Sequence, residues 1–226
     1  MKVISAEFVT SAAAGGASTG IPRDGLPQVA VTGRSNVGKS TLINALVRRP
    51  IARTSAAPGK TRLANVFRIT VEGGPRRGSG QGGAGRWSLY LVDLPGYGYA
   101  RGGATAADEL RAVAEAYFRG RVPVPGVNHE PGTGTLFLID SRHPGLEADV
   151  QAFQWLATLG VEPLIVATKV DKLSRAERTR NLRELERIFG KPALPVSAER
   201  GEGLEELWKT IASKARAAER SLKADE

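Results

Sequence analysis

One short stretch, Gly33-Arg34-Ser35-Asn36-Val37-Gly38-Lys39-Ser40, constrains this chain more than any other. Before it, Gln28-Val29-Ala30-Val31-Thr32 is an apolar run that reads as a buried strand. After it, beginning at Thr41, Leu42, Ile43, Ala45 and Leu46 fall at helical spacing. The stretch fits G-x-x-x-x-G-K-[ST]. A strand, a glycine-bounded turn and a helix N-terminus in that order form a cradle. Successive backbone N–H groups and the positive end of the helix dipole point into one small volume. That volume suits a phosphate, with Lys39 able to reach terminal oxygens and the Ser40 hydroxyl able to hold a magnesium ion. A glycine-rich turn with an incidental lysine would give the same letters without the flanking strand and helix.

The rest of the chain supplies a frame for such a loop. Strands are expected over 28–32, 64–71, 87–92, 134–139, 163–168 and 193–196, and helices over 39–48, 105–119, 146–159, 174–189 and 204–220. This alternation predicts a three-layer α/β fold, with helices on both faces of a mostly parallel six-stranded sheet. The runs 64–71 and 87–92 have no helix between them, so they should pair antiparallel and supply one antiparallel edge strand. Residues 1–27 read as a partly flexible lead-in that packs, if anywhere, at Phe8; residues 28–220 read as the domain and 221–226 as a disordered tail. The glycine-rich, basic segment 73–86 has too little apolar surface to offset its ordering entropy and is expected to be a mobile loop. Arg121–Thr133, with three prolines, is a second irregular segment.

Composition narrows the setting. Over 226 residues, 41% are hydrophobic, enough for a sizeable core, and there is no cysteine for a disulfide or a thiolate metal site. No apolar run approaches a membrane span, and Met1-Lys2-Val3-Ile4-Ser5-Ala6-Glu7 lacks the features of a signal peptide. A cytoplasmic location is therefore expected. The net charge of +9 favours a polyanionic partner: nucleic acid, ribosome or an anionic membrane. Charge alone does not choose among them.

Four further segments refine the chemistry. Asp93-Leu94-Pro95-Gly96 ends the apolar run Leu89-Tyr90-Leu91-Val92; its carboxylate can hold magnesium through water, and the Gly96 N–H can meet a γ-phosphate. Thr168-Lys169-Val170-Asp171 closes another apolar strand. A carboxylate there can accept from guanine N1–H and N2–H₂, which adenine does not offer, while the Lys169 stem lies over the purine face. Val196-Ser197-Ala198 can present backbone N–H groups to guanine O6. Finally, Pro58-Gly59-Lys60-Thr61-Arg62 precedes a strand, so the Thr61 hydroxyl, preferred over that of Thr54, can join magnesium only while a γ-phosphate is present.

In order and spacing these segments resemble the Era/TrmE/septin group of GTPases, and within it the EngB (YihA/YsxC) family. Asp93-Leu94-Pro95-Gly96-Tyr97-Gly98-Tyr99-Ala100 is the most family-specific string, joined by Pro58-Gly59-Lys60-Thr61, Leu138-Ile139-Asp140-Ser141-Arg142-His143 and Thr168-Lys169-Val170-Asp171-Lys172. The similarity runs from about Phe8 to the last helix; the 73–86 insertion departs from the family's hairpin by its length. The resemblance implies a Ras-like G domain binding GTP or GDP with Mg²⁺. It also implies a role in large ribosomal subunit assembly and in normal cell division and septation. A monomer contacting ribosomal RNA, without stable membrane insertion, is expected. The competing readings are a GTP-stabilised scaffold at septum or membrane, and another Era/TrmE-like GTPase.

Ras-like hydrolysis uses a glutamine directly after Asp-x-x-Gly to orient the attacking water. Tyr97 stands there, so no catalytic residue beyond the phosphate contacts of Lys39 and Gly96 is assigned, and unaided hydrolysis should be slow. Asn36 either holds a potassium ion, as in some relatives, or braces the loop. Arg34 and Arg101 invite an arginine-finger reading, against which exposed arginines are common on a basic protein. His129 and His143 have no ligand-spaced partner.

Overall fold

A computed structural model describes residues 1–12, 20–22, 24–53, 63–73, 85–97, 104–119 and 134–224. Strand β1 is Lys2–Ala12, β2 Gln28–Gly33, β3 Ala64–Glu72, β4 Arg86–Asp93, β5 Gly134–Asp140, β6 Leu164–Thr168 and β7 Leu194–Pro195. Helix α1 is Lys39–Val47, α2 Ala104–Arg119, α3 Glu147–Thr158, α4 Arg175–Phe189 and α5 Leu204–Ala224. The sheet order is β1-β3-β4-β2-β5-β6-β7. Strands β4, β2, β5, β6 and β7 pair parallel, while β3 runs against β4, with Asn65 opposite Asp93 and Glu72 opposite Arg86.

The architecture expected from the alternating periods is present, with seven strands instead of six. The added strand is β1, in the segment read as a lead-in. It pairs antiparallel with β3 from Lys2 opposite Glu72 to Ala12 opposite Ala64, with register shifts near Val3 and Phe8. Phe8 does pack, edge-on against Phe67 at 6.0 Å, yet it stays 57% exposed. Helix α5 reaches Ala224, so residues 221–224, expected in a disordered tail, continue the helix. Residues 74–84 of the glycine-rich segment and the prolines of 121–133 lie outside the described residues.

Alternation along the central strands divides the core into two layers. Val29, Val31, Leu136 and Leu138 face Leu42, Ile43 and Leu46 of α1 and Leu207, Trp208 and Ile211 of α5. Ala30, Phe137 and Ile139 face Tyr117 and Phe118 of α2, Leu156 of α3 and Leu185 and Phe189 of α4. A strand covered on both faces has no room for the alternating polar positions of a half-exposed sheet, which is why β2 is buried throughout. Strand β2 lies between β4 and β5, so the connections leaving its neighbours diverge at its carboxyl end. Ligands bind open α/β sheets in such a crevice. Among the described residues no helix is long and apolar enough to cross a membrane.

Candidate functional site

The loop Gly33–Gly38 turns at that crevice. A Cβ on Gly33 would stand 2.7 Å from the Leu138 carbonyl oxygen, so only glycine lets β2 pass β5 this closely. Helix α1 starts with Gly38 as its N-cap, with no side-chain cap and no acidic residue in the first turn. Its leading N–H groups thus lack the side-chain oxygens that satisfy α4, where Ser174 and Glu177 form a reciprocal capping box. An uncapped N-terminus at a strand's carboxyl end is built for an anion.

The Lys39 ammonium donates to the carbonyls of Gly33 at 3.1 Å and Arg34 at 3.2 Å, so the loop curls around it. Burial lowers its pKa, against the pull of Asp93. Asp93, at the end of β4, is 3% exposed; its Oδ2 accepts from Ser40 Oγ at 3.2 Å, and its buried Oδ1 has no hydrogen-bond partner among the described residues. Burial pushes this carboxyl up to about 6, although Lys39 and Ser40 act in the opposite direction. An orphaned carboxylate oxygen beside a serine hydroxyl fits a hard cation or its bound water. Leu94 and Pro95 are buried, and Leu94 N–H is tied to Val31 O at 3.0 Å, which brings Gly96 over the loop. A Cβ there would meet Lys39 Nζ at 2.7 Å and Ser35 N at 2.9 Å. Thr41 is exposed on α1.

The second predicted motif arrives from β6 on the same side. Thr168 Oγ1 donates to the carbonyls of Val37 at 2.8 Å and Ile139 at 3.1 Å, clamping the end of β6 to the phosphate loop. Lys169, at φ 60°, sends Nζ to the Asn36 carbonyl at 2.7 Å and to Asp140 Oδ2 at 2.9 Å. Burial alone would raise Asp140, but Arg142 and Lys169 outweigh it and hold the carboxyl at about 2. A single 3-10 turn, Val170–Lys172, carries Asp171. Burial would raise this carboxyl too; hydrogen bonds from Ser197 and Lys172 leave it below its ordinary value. Val196 N–H bonds Ala167 O at 2.8 Å, and fully buried Ser197 accepts from Arg200 N–H at 3.0 Å, so Val196-Ser197-Ala198 lies against Thr168–Asp171.

The phosphate loop, Asp93–Gly96, Thr168–Asp171 and Val196–Ala198 therefore share one cleft. Asn36 braces the loop through its backbone carbonyl, at φ 63°, and its side chain is exposed. Pro58, Gly59, Lys60, Thr61 and Arg62 lie outside the described residues, as do Thr54, Arg101 and His129. His143 follows β5, and among the described residues no cluster of His, Asp or Glu could hold a metal by itself.

Spacing gave no sign of one participant. Asp149, on the first turn of α3, has no exposed surface and accepts from Arg34 Nε at 3.0 Å and from the Tyr97 hydroxyl at 2.9 Å. In the chain it reads as an ordinary acidic residue near a helix start. Arg34 is thereby engaged inside the fold, away from an arginine-finger role, and the Tyr97 ring stacks on Phe137 at 6.1 Å.

Comparison with known proteins agrees with this geometry. A family described as 50S ribosome-binding GTPases matches residues 28–169. The probable GTP-binding protein EngB of Pelotomaculum thermopropionicum is 39% identical over 93% of this chain and 96% of its own. The corresponding protein of Symbiobacterium thermophilum is 40% identical over 92% of this chain and 94% of its own. A crystal structure of a probable GTP-binding protein engB shares the fold, with a TM-score of 0.57 at 20% identity, covering 84% of this chain and 99% of that one. The chain belongs to the EngB family of GTP-binding proteins.

Proposed function

We propose that this chain is a cytoplasmic guanine-nucleotide switch whose GTP-bound form engages the large ribosomal subunit during assembly, and on which normal cell division and septation depend. The observation that carries the reading is the joining of two motifs: Thr168 and Lys169, beside the guanine-reading Asp171, are hydrogen-bonded to the very loop that holds the phosphates. The family description, the relatives' names and the net charge of +9 support it. Salt-sensitive contact with ribosomal RNA phosphates follows from that charge.

In this reading the α1 N-terminus and Lys39 bind the phosphates, and the Gly96 N–H meets the γ-phosphate. Asp171 accepts from guanine N1–H and N2–H₂, the Lys169 stem covers the purine, and Val196-Ser197-Ala198 faces O6. Ser40 and Thr61 would hold Mg²⁺ directly and Asp93 through water; the Asp93 Oδ1, without a partner among the described residues, fits that water. Bound there, Mg²⁺ neutralises charge on the phosphate oxygens. The Asn36 brace runs through its carbonyl to Lys169, leaving the exposed side chain available to a potassium ion. Slow, partner-assisted hydrolysis is supported by Tyr97, whose hydroxyl is committed to Asp149.

The test is co-sedimentation with large ribosomal subunits, with a non-hydrolysable GTP analogue or GDP, across a salt series. Retention should depend on the analogue and fall steeply with salt. Equal retention with both nucleotides, or none at low salt, would remove the ribosome-switch reading and favour a nucleotide-stabilised scaffold.

A further inference from the structure

None of the nucleotide contacts proposed above uses Asp149, yet it is among the most completely buried charged groups described. A carboxylate taken out of water is costly unless it is paired and hydrogen-bonded. Here Arg34 Nε lies 3.0 and 3.2 Å from its two oxygens, and the Tyr97 hydroxyl donates to Oδ1 at 2.9 Å. These partners come from two segments that meet over the phosphates. Arg34 is the second residue of the phosphate loop, and Tyr97 directly follows Gly96.

The backbone of the two segments is joined at the same place. Ser35 N–H donates to the Tyr97 carbonyl at 2.9 Å, Arg34 and Tyr97 form an isolated parallel bridge, and Ser35 Oγ lies 3.4 Å from the Gly96 carbonyl. Stacking on Phe137, with planes 11° apart, restrains the Tyr97 ring. Gly96 sits so close to the loop that an added Cβ would touch both Lys39 Nζ and Ser35 N. The height and lateral position of the Gly96 N–H over the loop therefore depend on where Tyr97 is held, and Tyr97 is held by Asp149.

We propose that Asp149 is a positioning residue for recognition of the terminal phosphate: by holding Arg34 and Tyr97 together it fixes Gly96 over the phosphate loop. The inference rests on the guanine-nucleotide reading and adds that helix α3 takes part in telling a triphosphate from a diphosphate. Asp149 itself touches no nucleotide. A purely structural carboxylate would affect folding and all nucleotides alike, whereas this one acts on the contact that only a γ-phosphate makes.

The full chain carrying Asp149→Asn or Tyr97→Phe, and the double variant, would be titrated with GDP, a non-hydrolysable GTP analogue and ATP. Both single variants should bind GDP within about twofold of wild type but the GTP analogue about tenfold more weakly, the loss of one charge-assisted hydrogen bond. The double variant should lose less than the sum of the two single losses, since the bond between the Tyr97 hydroxyl and residue 149 is common to both. An unchanged ratio of GDP to analogue affinity, including equal weakening of both, would overturn the proposal. If Asp149→Asn does not fold, Tyr97→Phe, which deletes a single hydroxyl, decides alone by the same ratio. Wild type failing to prefer guanine nucleotides over ATP would instead overturn the underlying reading.

Discussion

Thr168 shows how much one hydroxyl can organise. Its hydrogen bonds to Val37 and Ile139 link the end of β6 to the Gly33–Gly38 loop and to β5, so Thr168–Asp171 keeps a set separation from that loop. Three residues on, Asp171 offers two carboxylate oxygens held ionised by Ser197 and Lys172. Asp171→Asn replaces an acceptor with an amide that can donate. GTP affinity should fall about a hundredfold and xanthosine triphosphate should gain, because a site built to pair polar groups rejects a base that leaves them unpaired. Competitive nucleotide titration measures both; an unaltered preference for GTP would mean that the base binds elsewhere. The residue types at this site were legible in the chain, because Gly38-Lys39-Ser40 and Thr168–Asp171 are local patterns. The roles of Asp149 and Asp140 were not, since an acid near a helix start and an acid at a strand end look ordinary until their partners are in place.

At the scale of elements, local signals and tertiary packing diverge in instructive ways. Helix α4 could be read from Ser174 through its capping box to Gly190, which ends it at φ 69°. Strand β7 spans only Leu194–Pro195 of the expected 193–196, since Pro195 has no N–H to extend the ladder. Strand β1 escaped notice because its residues carry no clean alternation and several remain exposed; it is a strand by virtue of pairing with β3. Helix α5 contributes the opposite case, an amphipathic period whose apolar side seals one layer of the core. Trp208 Nε1 donates to Leu46 O at 3.0 Å, and Ile211 is 1% exposed. Ile211→Ala should cost about 3 kcal/mol in urea unfolding, from lost transfer free energy plus the cavity left behind. Arg183→Ala on the exposed face of α4 should stay within about 0.5 kcal/mol. A cost near zero for Ile211→Ala would mean that α5 is not packed as described.

For the whole molecule, folding brings carboxylates into environments that shift them in opposite directions, and pH dependence follows. Asp140 is depressed to about 2 by Arg142 and Lys169 despite its burial. Against an unfolded value of about 3.9, its contribution is fully present above that value and is lost as pH falls toward the folded one. Asp93, raised to about 6 mainly by burial, contributes with the reverse sign, its share lost as pH rises through the folded value. The difference between wild type and Asp140→Asn therefore isolates Asp140 better than the wild-type curve does. In urea titrations stepped downward from pH 6, that difference should hold steady and then shrink below about pH 4. A gap that stays constant to pH 3 would show that the Asp140 pairing is not worth what its environment implies.

By itself the sequence determined the phosphate loop, the guanine motif, the α/β alternation and the family, because each is written in residues a few positions apart, within one strand, turn or helix period. Only the tertiary structure decided that Thr168 clamps Val37, 131 residues away, that Arg34 turns inward to Asp149, 115 residues away, and that Tyr97 is held 52 residues from its partner. Such contacts follow from a sheet order in which β2 separates β4 from β5, and no local pattern encodes which distant side chains that order brings face to face.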